Sequence, residues 1–188
     1  MASDARDGAQ REGGHGVSAR DLSLAGLLGA AGIALPFVFH LFGPGLGRVL
    51  LPMYLPIMAA GLLVSPGLAA VVGLTTPLLS ALLTGMPPLA PPIAFLMSLE
   101  LGAAAPTAGF LYRRLRFRIV GAILGESIVG RLVLAAEVAV LGAAIGLNIP
   151  WWKYVGGAIG LGLPGLALQL IILPPLVVAI EKRRRAQR

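Results

Sequence analysis

Long apolar runs separated by short polar breaks dominate this chain. The runs occupy roughly 22–42, 49–64, 68–83, 91–111, 119–147 and 155–180, and a hydrocarbon core of about 30 Å takes ~20 helical residues at ~1.5 Å each. The pattern predicts an all-α integral membrane protein with six transmembrane helices. The second and third runs reach only ~24 Å by the same rise, so they are expected to thin the bilayer locally or to shelter behind neighbouring helices. Before the first run, residues 1–20 carry Asp4, Arg6, Asp7, Arg11, Glu12 and Arg20 among glycines, which predicts a disordered leader. Residues 21–181 then form one membrane domain, followed by a basic tail at 182–188. The first run exceeds the about 7–15 apolar residues of a secretory signal core, so it is read as a retained helix.

Within this pattern the stretch from Leu51 to Pro88 stands apart. Prolines at 52, 56 and 77 interrupt its apolar runs, and the runs lead into the turn Thr84-Gly85-Met86-Pro87-Pro88. Proline removes a helix hydrogen bond that hydrocarbon cannot replace, so protein or a lined cavity has to compensate. Such a segment reads as part of a site rather than as an anchor.

Composition changes the picture in three ways. Hydrophobic residues make up 57% and charged residues 12% of the chain, and mean hydropathy is +0.88; this excludes an ordinary soluble domain. An isoelectric point near 11.1 does not indicate nucleic acid, because the positive charge sits at segment ends and in one short loop. Absence of cysteine removes disulfides, thiolate metal sites and cysteine nucleophiles. Orientation follows from where Lys and Arg fall. Arg6, Arg11 and Arg20, then Arg113, Arg114, Arg116 and Arg118, then Lys182, Arg183, Arg184, Arg185 and Arg188 share one side, against Arg48 and Lys153 on the other. Both termini are therefore expected in the cytoplasm, with loops 43–48, 84–90 and 148–154 outside. The arginine clusters are expected to meet anionic lipid.

Polar residues inside the runs are the candidate chemistry. His40, Thr75, Thr76, Ser80, Glu100, Glu126, Arg131, Glu137 and Gln169 need partners or a wet cavity, since a charge at mid-bilayer costs at least ~2.5 kcal/mol. Glu100 lies roughly 13 Å below the outer surface, and Arg131 about 10 Å below it, on sequential antiparallel spans. A Glu100–Arg131 ion pair in the outer half follows. Glu126 and Gln169 fall deeper, where a hydrogen bond between them is expected, and Glu137 sits near the outer end of its span, where it can snorkel to headgroups. Trp151, Trp152, Lys153 and Tyr154 fit an interfacial aromatic belt, with Trp152 also a candidate for stacking on a ligand. His40 and Arg48 flank the first outer loop, and Tyr54 opens the second run; these three join the candidate binding residues. No HExxH, GxSxG or GxxxxGK[ST] motif is present, so no enzyme, cofactor or metal site is indicated. Gly26, Ala30 and Ala34 recur at four-residue spacing and permit close helix approach to another helix or subunit.

Taken in order, FHLFGPGLGRVLLPMYLPIMAAGLL at 39–63, GLTTPLLSALLTGMPP at 73–88, MSLEL at 97–101, GR at 130–131 and GLPGLALQLIILPPLV at 162–177 resemble the substrate-binding S components of energy-coupling factor (ECF) transporters. The resemblance covers about Leu22 to Ile180 and is closest to the branch that includes pantothenate, folate and cobalamin binders. It implies a bundle in the prokaryotic plasma membrane that binds a vitamin-like small molecule in an outward-facing pocket. It also implies a transmembrane coupling subunit (T component) and two cytoplasmic ATPase subunits as partners. Matched by position, Thr84, Gly85, Met86, Glu100 and Arg131 would line the pocket, with the TGMPP turn as its lid, and Gly26, Ala30 and Ala34 would dock on the coupling subunit. Gly26 stands where the family's helix is strictly alanine, a small departure. The alternatives are a self-sufficient secondary transporter or channel using Glu100, Glu126 and Arg131, and a membrane enzyme using Ser80 or Glu100.

Overall fold

The computed structural model describes residues 18–41, 52–142, 144 and 150–186. Residues 1–17 of the leader, loop 43–48 with Arg48, and residues 145–149 lie outside the described residues, as does the side chain of His40. Among the described residues six helices follow one another: α1 (Ala19–Leu41), α2 (Tyr54–Leu63), α3 (Pro66–Thr84), α4 (Ile93–Arg113), α5 (Ile119–Leu141) and α6 (Trp151–Ala186). No strand occurs among the described residues. All but α2 are long and apolar enough to cross a membrane.

The bundle has an apolar core, yet it also buries polar side chains and exposes apolar ones. Thr76, Ser80, Ser98, Glu100, Glu126, Glu137 and Gln169 are buried, whereas Val120, Leu124, Ile128 and Leu132 form an exposed stripe along α5. Four-residue spacing keeps that stripe on one helix face, and hydrocarbon is the solvent that favours this arrangement. The chain is therefore a multi-pass membrane protein.

Helix ends are set by local chemistry. Ser18 Oγ accepts the Asp21 N–H at 3.0 Å, the N-cap that starts α1. Pro66 opens α3, where its missing N–H costs nothing. Gly85 closes α3 in the left-handed conformation at φ 74° and donates its N–H to the Ala81 carbonyl at 2.9 Å.

The second apolar run behaves differently from its neighbours. Only ten residues of it form α2, ~15 Å of helix, half of what a bilayer requires. All of them except Leu55 are buried, and α2 packs against α1, α3, α4 and α6. It is a plug enclosed by spanning helices. Pro56 lies in its first turn, where the N–H has no intrahelical acceptor, so it forfeits no hydrogen bond; Pro77, inside α3, does.

Glycines bring the backbones together. A Cβ at Gly61 would fall well inside 3.0 Å of the Ala105 carbonyl, one at Gly109 equally close to the Gly61 carbonyl, and one at Gly73 equally close to the Leu101 carbonyl. Helices α2 and α3 thus meet α4 at backbone contact, the small-residue packing that replaces hydrophobic driving force in lipid. Ser98 Oγ donates to the Leu74 carbonyl across the α3–α4 seam.

One end of the bundle gathers the start of α1 and the end of α6. Arg113 donates to the Leu62 carbonyl at 2.7 Å and the Gly61 carbonyl at 3.2 Å. Arg184 donates to the Leu63 carbonyl at 2.9 Å and pairs with Asp21 at 3.4 Å. The last carbonyls of α2 have no acceptor role inside their own helix, and two cations at that end satisfy both the lone pairs and the helix dipole. Tyr112 OH adds a hydrogen bond to the Glu181 carboxylate at 3.1 Å. Two arginines from the clusters expected to meet lipid headgroups thus also cap α2, Arg184 half-buried and Arg113 with much of its side chain exposed.

Candidate functional site

Two spanning helices, α5 and α6, enclose with α4 and α2 a cavity of about 630 Å³. From α6 it receives Trp151, Val155, Ile159, Gly162, Leu166 and Gln169, which recur at three- and four-residue intervals and therefore share one face. Helix α5 contributes Glu126, Ser127 and Arg131, α4 contributes Glu100, and α2 contributes Tyr54. At the surface the cavity opens among Leu124, Ile128 and Leu132 of α5 and Ile159 and Leu163 of α6, all of them lining residues with exposed side chains.

The ion pair expected from depth is present. Arg131 Nη1 lies 3.0 Å from Glu100 Oε1, and the side chains are 22% and 4% exposed. Gly130 packs directly against the pair, since a Cβ there would touch Glu100 Cγ and Oε1 at 3.4 Å. The Arg131 guanidinium also sits 5.9 Å from the centroid of the Tyr54 ring, within range of a cation–π contact. Arg131 is thereby held from two sides, by a carboxylate on α4 and an aromatic face on α2.

Glu126 and Gln169 occupy the same cavity from facing helices without bonding to each other. Ser127 Oγ donates to Glu126 Oε1 at 3.2 Å, and Gln169 Oε1 is buried with no hydrogen-bond partner among the described residues. The expected Glu126–Gln169 bond does not form among the described residues, although both side chains line the cavity. Glu137 also departs from expectation. Instead of snorkelling, it is buried, and neither carboxylate oxygen has a partner among the described residues.

The sequence candidates divide accordingly. Glu100, Arg131 and Tyr54 converge on the cavity, but Thr84, Gly85, Met86 and Trp152 do not line it. Trp152 is turned about 100° from Trp151 around α6; it is exposed, with Lys153 Nζ 5.3 Å from its ring centroid. The Thr84–Met86 turn is tied to its own helix. Ser80 Oγ donates to the Met86 carbonyl at 2.7 Å, Thr84 Oγ1 donates to the Ser80 carbonyl at 2.7 Å, and the Met86 N–H donates to Thr84 Oγ1 at 3.3 Å. Trp151, Ser127, Glu126 and Gln169 were not among the nominated binding residues. The signal that marks three of them was legible: Trp151 and Gln169 share the helical period that lines α6, and Glu126 is an intramembrane carboxylate.

The small residues of α1 fall on two faces. Ala25 is buried, and Gly29 and Gly32 face Thr76 and neighbouring side chains, which seats α1 on α3 and α2. Gly26, Ala30 and Ala34 are exposed, and space is open around Gly26. Comparison with protein-family models, with curated proteins and with solved structures finds no match to this chain.

Proposed function

We propose that this chain is the substrate-binding subunit of an importer whose energy comes from separate ATPase subunits, similar to the S components of ECF transporters. The observation that carries the reading is the cavity. It is large enough for a small molecule, lies within the membrane domain, and concentrates an ion pair, a second carboxylate and an unpaired amide that a passive anchor would not retain. The chain has no nucleotide-binding motif, so a subunit of this kind needs partners. These would be a transmembrane T component and two cytoplasmic ATPases, in a prokaryotic plasma membrane with both termini inside. The exposed Gly26, Ala30 and Ala34 face of α1 supports docking there, because small side chains let another helix approach closely. The cargo would be a vitamin or related micronutrient, captured from outside.

A second reading, a self-sufficient secondary transporter, is favoured by one observation: Glu126 shares its cavity with the Glu100–Arg131 pair, an arrangement suited to a proton relay. Reconstitution separates the two. Purified protein in liposomes is expected to bind solute without accumulating it under an imposed proton or sodium gradient. Gradient-driven accumulation by this chain alone would overturn the binding-subunit reading in favour of the second.

A further inference from the structure

We propose that the cavity takes an amphipathic amine, with a protonated nitrogen against Glu126 and a largely apolar body between α5 and α6. This rests on the reading of the chain as a binding subunit and narrows what it binds.

Charge balance is the first argument. The one guanidinium among the described residues of the cavity wall already has its anion, Glu100, at 3.0 Å, and its ring contact with Tyr54. An acidic ligand would share that guanidinium with Glu100 and bring two carboxylates together around one cation, with Glu126 a third negative group in the same wall. Glu126 is the opposite case. It is 2% exposed, forms no ion pair among the described residues, and receives a single hydrogen bond, from Ser127. A carboxylate out of water requires a cation and several donors, and an ammonium group supplies a charge with up to three N–H donors.

The facing wall is the second argument. Gln169, 4% exposed, carries a buried Oε1 without a partner among the described residues. An N–H held at Glu126 from one helix and accepted by Gln169 from the other would satisfy both walls at once. Buried polar groups in native proteins are normally paired, so an amide with no partner beside a cavity points to a missing one.

The rest of the lining sets the body of the ligand. Leu124, Ile128 and Leu132 on α5 face Ile159, Leu163 and Leu166 on α6. A polyhydroxylated molecule would bury hydroxyls against these side chains without partners, whereas an aliphatic or aromatic body meets them with no unpaired polar group.

The test uses the purified full chain in detergent and thermal unfolding with matched triples that share an apolar body and differ in the head group. Tryptamine, tryptophol and indole-3-acetate form one such triple. The amines are expected to raise the unfolding temperature, and Glu126→Gln, which keeps the shape and removes the charge, is expected to weaken amine binding at least tenfold. Gln169→Leu, on the facing helix, gives an independent reading and should weaken it as well, so the conclusion does not depend on one variant folding. If the acids or neutral members stabilise best, or amine binding survives both substitutions, the amine assignment is overturned while the binding-subunit reading stands. If no member of any triple stabilises the protein, both fail.

Discussion

Substituting Gly61 by alanine sets two effects of known size against each other. In a helix alanine is favoured over glycine by about 0.8–1.0 kcal/mol. Against this, a Cβ at Gly61 would lie well inside 3.0 Å of the Ala105 carbonyl, where ordinary contacts are 3.4–4 Å. One backbone has to retreat by several tenths of an ångström or more. Neither is free to do so. Ile57, Met58 and Ala60 on α2 and Leu101, Ala105 and Ala108 on α4 are all 0% exposed, and interiors packed this tightly do not yield without strain. Retreat of α2 would also pull the Gly61 and Leu62 carbonyls from Arg113. Overpacking costs ~1–3 kcal/mol, and the lost cap adds to it, so the upper end applies and outweighs the propensity gain. The expected net loss is about 2 kcal/mol, read from reversible unfolding in mixed micelles titrated with a denaturing detergent. Gly26→Ala is the internal control: nothing lies within 4 Å of a Cβ there, so the propensity gain stands alone and the change should be neutral to about 1 kcal/mol stabilising. A Gly61→Ala protein as stable as the parent would mean that α2 and α4 do not meet at backbone contact, and would refute the packing described above.

Arg131→Met leaves Glu100, 4% exposed, without its cation. Breaking a buried pair costs ~3–5 kcal/mol, and because Arg131 itself is 22% exposed the lower end is expected; the double variant Arg131→Met/Glu100→Leu should recover most of it, and a double variant no more stable than the single one would refute the pairing. Arg113→Met removes two hydrogen bonds to the α2 carbonyls and is expected to cost about 2 kcal/mol, whereas Arg114→Met, at an exposed side chain that makes no such bonds among the described residues, should change stability by less than about 0.5 kcal/mol. If Gly26, Ala30 and Ala34 are the docking face, Ala30→Trp should abolish co-purification with the coupling subunit and leave the unfolding temperature unchanged; an intact complex would remove that assignment.

How much of the candidate site could be read beforehand depended on the kind of information each residue carries. Glu100 and Arg131 were paired correctly because helix rise converts residue number into depth, and sequential antiparallel helices bring equal depths together. The same arithmetic placed Glu126 and Gln169 in a common layer but could not give the width of the gap between their helices, and that gap is the cavity. The TGMPP turn was correctly recognised as a turn, since Gly85 and the prolines permit little else. Its position away from the cavity lining depends on where the end of α3 lies relative to α6, a distance no local pattern contains. Glu137 shows the limit in another way. Depth near a span end suits snorkelling, but the direction in which a side chain points around its helix is set by which neighbours pack there.

By itself, then, the amino-acid sequence determined the solvent and the secondary structure of this protein. Apolar runs of bilayer length and intramembrane carboxylates are local properties, summed along the chain, and they predict helices in a membrane whatever the packing. Only the tertiary structure decided that the second run becomes a buried ten-residue plug, that Arg113 and Arg184 cap it, and that Arg131 is paired while Glu126 and Gln169 line the same cavity without an ion pair or a bond to each other among the described residues. Those outcomes depend on distances between helices far apart in sequence, where angstrom-scale close packing chooses which polar groups find partners and which do not.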